Sequence, residues 1–395
     1  MTVAPTGRAA RHGRIEMRKS DLSIKLGIAV SQSGRYALLG RQVLAGLRCF
    51  VDDVNARGGL RVGGHGRPAT LIAEDDESDE ATLRERISKL IEHDNVDLLI
   101  GPYGSGLNLA AAEIAEQRHI VLWNHSGSAD QIFEQGFQWQ VGLISPASSY
   151  LTSVLEALRA TDAGAGQVAL FSANTSFAID MAAAVVAWLK CEGMALTLHE
   201  RYASGLQDFG RLLRPICADP PDWILGVGRV EDDIHFARQL CAAQPAIKAA
   251  ALVVAGIDHF GVELGPSANG FLAPSQWEAA ANYEVDCGPS GVEFAASFRA
   301  RSGQTPDYPA AQGYAAGLIA ERALEIAGTV EQAALREAAA NLRCTTLYGP
   351  FAIAQGSGRQ LAHRMLVTQW QYGERRIVWP PAVAQNELIY PAPPR

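Results

Sequence analysis

From Ile24 onward, short apolar runs alternate with longer stretches in which apolar residues recur every three or four positions. Ile24 to Val30 predicts a strand. Val43, Leu44, Leu47, Phe50, Val51 and Val54 share one face of a helix from Gly40 to Ala56, which Gly58-Gly59 stops. A strand over 69–73 leads into the acidic loop Glu74 to Asp79, read as solvated. A helix over about 79–93, a strand over 96–101, a helix over 106–117 and a strand over 120–123 follow. This βαβα order predicts a parallel sheet with helices on both faces. After Pro146 the pattern starts again, with helices over 147–160, 177–190, 208–216 and 231–243 between strands over 167–172, 195–199, 222–227 and 250–255. Three more helices (about 290–301, 308–327 and 331–341) precede a tail that reads as a hairpin of strands from Leu361 to Gln371 and Arg375 to Trp379 around Tyr372-Gly373. The whole predicts an α/β chain of two doubly wound parallel-sheet lobes with a cleft between them.

Two stretches carry the candidate chemistry. Leu98 to Gly106 and Ile120 to Ser128 each read as a buried strand ending in glycine and hydroxyl residues that then open a helix. A helix start has unpaired N–H groups and a partial positive charge, which suits a carboxylate. Ser105 and Ser126 lie 21 positions apart, one helix and one strand between them, so the two turns are expected at the same sheet edge. The plainer alternative is that these serines cap their own helices. Tyr36, Tyr103, Trp123, Phe177 and Tyr308 flank the expected pocket with aromatic side chains, although each taken singly is better explained as ordinary core or surface.

Composition narrows the function. Of 395 residues, 48% are hydrophobic and 19% charged, with a net charge of −8, which argues against a nucleic-acid partner, since that needs a basic surface. No apolar run approaches membrane-spanning length. The six cysteines show no CxxC or metal-ligand spacing and read as buried thiols. His93, His119 and His125 are not spaced as metal ligands, and there is no GxSxG elbow. Gly226-Val-Gly228-Arg-Val-Glu231 imitates a dinucleotide loop, but Glu231 would oppose a pyrophosphate. No nucleophile pairs with a base, so neither a catalytic residue, a metal nor a cofactor is expected. The first 22 residues carry Arg8, Arg11, Arg14, Arg18 and Lys19 without the apolar run of a secretory signal, and by themselves point to the cytoplasm.

With these residues assembled, the chain resembles the leucine/isoleucine/valine-binding family of periplasmic binding proteins, over about Ile24 to Pro381. The resemblance rests on Ser33-Gly34, Asp53-Val-Asn55-Ala-Arg-Gly58-Gly59, Asp75-Asp76, Ile100-Gly101 before Ser105, and Tyr348-Gly349-Pro350-Phe351. Val367-Thr-Gln-Trp-Gln371 and Val378-Trp-Pro-Pro381 add to it. It implies the type I fold, with lobes of 23–145 plus 275–354 and 146–274 plus 355–395 joined by a multi-strand hinge, after an extended or disordered segment 1–22. It implies a serine for the ligand carboxylate at Ser105 and a second carboxylate-binding segment at Ser126, Gly127 and Ser128. From the second lobe it implies an aromatic wall at Phe177 and a cleft position at Arg229, with Asp258 nearest to the acid that meets an ammonium group. A first-lobe aromatic aligns with Leu39, and Tyr36 is the substitute from the same loop.

The function so implied is the solute-binding component of an ABC importer, which closes its lobes on a small carboxylate or amino-acid-like ligand and presents the closed form to a membrane permease. Amino acids, aromatic acids and amides are the ligand classes considered. The family places such a protein in the periplasm. A cytoplasmic amide or amino-acid sensor of the same fold, acting as a regulator, is the alternative that the first 22 residues favour.

Overall fold

The computed structural model describes residues 23–393. The expected segment 1–22 lies outside them. The chain begins with β1 (Ile24–Ala29), whose apolar residues are almost wholly buried, followed by α1 (Ala37–Ala56), which packs Val43, Leu47, Phe50 and Val54 inward. A small hairpin, β2 (Leu60–Val62) and β3 (His65–Arg67), leads to β4 (Ala69–Glu74) and α2 (Glu80–Glu92). Then come β5 (Leu98–Ile100), α3 (Ser105–Arg118), β6 (Leu122–Asn124) and β7 (Gln140–Gly142). These strands form one parallel sheet in the order β4-β1-β5-β6-β7.

The second sheet begins after α4 (Tyr150–Thr161). It takes β8 (Gln167–Ala173), α5 (Ser176–Cys191), β9 (Ala195–Tyr202), α6 (Gly210–Ala218), β10 (Trp223–Val227), α7 (Val230–Ala243), β11 (Ala249–Leu252), α8 (Asp258–Leu264) and β12 (Phe271–Ser275). The chain then returns to the first lobe with α9 (Gly291–Ser302), α10 (Tyr308–Ala327) and α11 (Gln332–Asn341), whose buried residues join the core around β1. A short pair, β13 (Cys344–Thr346) and β14 (Gly349–Phe351), follows. Finally β15 (Leu366–Gln371) and β16 (Glu374–Trp379) add an antiparallel edge to the second sheet, ordered β16-β15-β12-β11-β10-β8-β9. Tyr372 and Gly373 both take positive φ, 53° and 84°, which makes the tight hairpin turn.

The chain therefore passes between the sheets three times: after β7, after β12 and after β14. His363 ties the three passages together. Its Nδ1 accepts from the Ser145 hydroxyl at 2.6 Å, and its Nε2–H donates to the Gln276 carbonyl at 2.9 Å. A carbonyl can only accept, so the ring is the Nε2–H tautomer. Burial pushes its pKa down to about 4.

Several sequence expectations need correcting. Residues 361–365 are not strand, and the strand begins at Leu366. Cys191 and Cys217 are exposed and Cys241 is partly exposed, because each lies on the outer side of a second-lobe helix or at its end. The acidic loop is organised rather than merely solvated. Asp76 is buried and accepts from the Ser31 hydroxyl at 2.6 Å, while Asp75 accepts the N–H groups of Gln32 and Ser33 at 2.8 and 3.3 Å. Ser78 Oγ accepts from the Tyr36 N–H at 3.0 Å, so this loop fixes where α1 begins.

Candidate ligand-binding site

β5 and β6 are parallel neighbours, with Leu99 beside Leu122 and Ile100 beside Trp123, so the turns after them leave the same sheet edge. Only the first opens an α-helix, because Ser126–Ser128 run as an irregular turn into a short 3-10 turn over Asp130–Phe133. A third turn, before α1, lies against them: Gly104 takes φ +91°, and a Cβ there would stand 3.6 Å from the Tyr36 ring. Only glycine reaches that backbone geometry at no steric cost.

The serines divide into two roles. Ser126 Oγ donates to the Pro102 carbonyl at 2.8 Å and accepts from the Gly104 N–H at 3.0 Å, so it stitches the two turns together. A hydroxyl has one hydrogen, and that of Ser126 is already used. Ser105 Oγ accepts from the Ala129 N–H at 3.1 Å, which leaves its hydrogen for an acceptor in the cavity. Ser105 opens α3, whose N-cap, Gly104, supplies no side-chain cap. Ser128 is buried and its hydroxyl bonds to that of Tyr150. Behind the turns, Asn124 Oδ1 accepts from the Gly127 N–H at 2.7 Å, and Asn108 Nδ2 donates to the Pro102 and Gly104 carbonyls at 2.7 and 3.0 Å.

From the second lobe the starts of α5 and α7 face this edge. Thr175 caps α5, its hydroxyl accepting from the Ala178 N–H at 3.2 Å, and Phe177 meets Tyr150 edge-on at 5.3 Å. Arg229 is the N-cap of α7. Buried Asp232 accepts from the Arg229 N–H at 3.2 Å, the Gly205 N–H at 2.6 Å and the Ser204 hydroxyl at 2.8 Å, which anchors that helix start to the loop after β9.

Between the lobes lies a cavity of about 400 Å³, within the usual range for a small-molecule site. Tyr36, Ser105, Ser126, Ser128, Phe177 and Arg229 all line it. Two of the candidates do not. Gly127 is packed under Asn108, with its backbone turned to Asn124. Asp258 is about half exposed and its carboxylate stands 3.2 Å from Arg375, outside the lining. Trp123, expected as a wall, is wholly buried in the first-lobe core because it points inward from β6.

Tyr103 and Tyr308 do form a wall, their hydroxyls 2.5 Å apart. Burial raises both phenol pKa values, so both stay neutral. Tyr150, Gln276 and Gln312 also line the cavity and escaped the sequence reading. They sit inside a helix or at a strand end without any local motif. Among the described residues lining the cavity, Glu231 is the one carboxylate, and it is exposed.

Leu39 of α1 packs with the apolar core of the second lobe, and Tyr103 and Tyr308 also touch that core. The lobes are therefore closed on each other. Among the described residues, no group of histidine, cysteine and acidic side chains is arranged to hold a metal ion, and no helix is long and apolar enough to cross a membrane.

Comparison with known proteins fits this geometry. The chain is 25% identical over 391 residues to the Leu/Ile/Val-binding protein homolog 7 of Brucella abortus, covering 93% of this chain and 94% of that one. Its fold is similar to that of a solute binding protein of an ABC transporter from R. palustris, in complex with benzoate (TM-score 0.76, 20% identity, 94% and 97% of the two chains). It is also similar to a branched-chain amino acid transporter substrate binding protein from Streptococcus pneumoniae, in complex with isoleucine (TM-score 0.78, 17% identity, 93% and 99%). A third such fold is a solute binding protein from Rhodopseudomonas palustris in complex with 3,4-dihydroxy benzoic acid (TM-score 0.75, 18% identity, 89% and 95%). The model of the periplasmic binding protein family matches residues 23–375, and with two wound lobes closed over a lined cavity the chain belongs to that family.

Proposed function

We propose that this protein is the solute-binding component of an ABC importer and captures a small carboxylate with an aromatic or branched apolar body. The observation that carries the ligand class is the charge of the cavity. Two guanidinium groups, Arg35 and Arg229, approach one ring, that of Tyr36, while the single lining carboxylate is exposed. Like charges that close repel, and an anion between them turns that repulsion into attraction. An α-amino group, in contrast, meets no buried carboxylate among the described residues lining the cavity, and Asp258 is engaged by Arg375.

In this reading the ligand carboxylate lies at the start of α3, against the Ser105 hydroxyl and the first N–H groups of the helix. Ser126 and Ser128 hold the turns in place rather than donate to the ligand. Tyr36, Tyr103, Tyr308 and Phe177 enclose its apolar body. The lobes, 23–145 plus 275–354 and 146–274 plus 355–395, rotate about the three passages, and Arg229 arrives on closure. Closure is stabilised by the contacts that the ligand makes only in the closed state. The closed form then docks on a membrane permease from the periplasmic side. No covalent step takes place in the cavity.

The benzoate, isoleucine and dihydroxybenzoate of the similar structures all carry a carboxylate, which supports the class. Calorimetry on refolded, ligand-free protein tests it, with benzoate, hydroxybenzoates, branched-chain amino acids and the matching amides as the panel. Aromatic carboxylates are expected to bind at micromolar concentration or tighter, and their amides far more weakly. Equal binding of acid and amide, or no binding across the panel, would falsify the reading.

A further inference from the structure

Cys49, Cys287 and Cys344 are the buried cysteines, and two of these three meet. Cys287 lies on the second passage between the lobes, just before α9, and Cys344 opens β13, 57 positions later. Their backbones run side by side. The N–H groups of Asp286 and Cys287 both donate to the Thr345 carbonyl, at 3.0 and 3.1 Å, and the Thr345 N–H donates back to Asp286 Oδ1 at 2.8 Å. The two thiols are within hydrogen-bonding reach of each other, in the core of the first lobe. The remaining cysteines are elsewhere: Cys49 beside Arg301, and Cys191, Cys217 and Cys241 on second-lobe helices.

We propose that Cys287 and Cys344 form a disulfide that fastens the second passage to the first lobe. In the cell this rests on the periplasmic placement proposed above, because a reducing cytosol keeps thiols apart. The oxidant is another disulfide, of an oxidase protein or of glutathione. One of the two cysteines, as thiolate, attacks a sulfur of that disulfide and forms a mixed disulfide. The first attack displaces one sulfur of the oxidant as a thiol. The other thiolate then attacks the first cysteine's sulfur and displaces the second, so the oxidant leaves fully reduced, as a dithiol or as two glutathione thiols. Both electrons and both thiol protons of this chain end on the two sulfurs of the oxidant. Since both cysteines are buried at the end, exchange takes place while the chain folds, before the core closes over them.

The bond has a mechanical consequence. The passage after β12 belongs at one end to the second sheet and at the other to α9. Fixing Cys287 to β13 makes the far end of that passage move with the first lobe, so that bending on closure is confined to the residues nearer Gln276. It also removes conformational freedom from the unfolded chain, since it closes a long loop.

The test uses the full chain, refolded from denaturant in parallel with a glutathione redox pair and with excess reductant. After oxidative refolding, titration of thiols in denaturant is expected to find four of the six free, and peptide mapping without reductant a single cross-link joining Cys287 to Cys344. Melting of the oxidised sample should come several degrees above that of the reduced one, and Cys344→Ser should abolish the difference while leaving five free thiols. Six free thiols in the oxidatively refolded protein overturn the proposal, as does a cross-link between other cysteines. The thiol count does not depend on ligand binding or location, so it stands or falls apart from the proposed function.

Discussion

The guanidinium carbon of Arg229 stands 5.9 Å from the centre of the Tyr36 ring, so a side chain of the second lobe reaches the first across the mouth of the cavity. Arg35 approaches the same ring at 5.0 Å from its own lobe. The contact exists only when the lobes are together, which makes Arg229 a reporter of closure as well as a partner for an anion. Replacing Arg229 with Ala removes a charged hydrogen-bond donor, whose loss costs about 1.5–3 kcal/mol. The affinity for the bound carboxylate should fall roughly 10- to 100-fold, mostly through faster dissociation. Arg229→Lys keeps the charge but not the fork, and should recover part of the loss. Calorimetry and stopped-flow release measure both. Unchanged affinity in R229A places the anion elsewhere.

The bond from Ser126 Oγ to the Pro102 carbonyl leads to a different expectation for that serine. Ser126→Ala leaves the Gly104 N–H and the Pro102 carbonyl short of a partner, at about 1–3 kcal/mol of stability. Gly127→Ala acts on the same turns from behind, because its Cβ would lie 2.4 Å from Asn108 Cβ; overpacking of this kind costs about 1–3 kcal/mol. Urea unfolding should show both losses, with reduced affinity following from displaced turns. A direct ligand contact at Ser126 would instead reduce affinity and leave stability unchanged.

How much of this was legible beforehand differs between fold and site. α1 was readable because it buries one face, so the helical period stands out in the sequence; α10 is buried on nearly every side and shows instead as a long run of small and apolar residues. The β2–β3 and β13–β14 pairs were missed. Their strands are three residues long, too short for either period to register. Ser105, Ser126 and Ser128 were found because chemistry and chain direction coincide there: a strand ends, small residues follow, and neighbouring strands share an edge. Nothing local distinguishes the hydroxyl of Ser105, which faces the cavity, from that of Ser126, which is spent on a carbonyl. Tyr150, Gln276 and Gln312 reach the cavity from two helices and a strand end brought together by tertiary packing, and no spacing announces them. Asp258 was the nearest acid in the sequence. Its engagement by Arg375, more than a hundred positions later, is invisible without the fold.

Arg375 also sets a pH dependence. It is buried with three carboxylates around it: Asp258 at 3.2 Å, Glu278 at 3.4 Å and Asp307 at 3.6 Å. One cation cannot neutralise three anions. Burial, reinforced by Asp307 and Asp258 and opposed by Arg375, pushes the Glu278 pKa up to about 7. A raised carboxyl pKa means that the folded state holds its proton where the unfolded chain has lost it. Stability from this group is therefore full below the unfolded value and falls as pH rises towards about 7. Asp233, buried and pushed up to about 7 as well, adds a slope of the same sign. The melting temperature of the wild type relative to that of Glu278→Gln should decline from about pH 4.5 to about pH 7 and level off above it. An identical slope in E278Q shows that Glu278 does not titrate there.

His363 works in the opposite direction on the acid side. Its ring joins Ser145 and the Gln276 carbonyl, one from each of the other two passages, and burial holds its pKa near 4. His125, with Nε2 against the Gly101 carbonyl at 2.8 Å, is held near 4 for the same reason. A lowered imidazole pKa makes the unfolded chain bind the proton first. Stability is lost as pH falls from about 6.5 to 4, the window between the two values. His363→Leu keeps a similar volume but leaves the Ser145 hydroxyl and the Gln276 carbonyl without this partner, at about 1–3 kcal/mol each. Part of the acid slope should disappear with it, while His125 and the partly buried His199, both lowered by burial, keep their share. Because the ring joins all three passages, its loss should also loosen the hinge. Small-angle scattering of the ligand-free variant should give a larger radius of gyration than the wild type, converging again when ligand saturates both. A variant that is less stable yet equally compact without ligand would limit His363 to holding the fold, with no part in the balance between open and closed lobes.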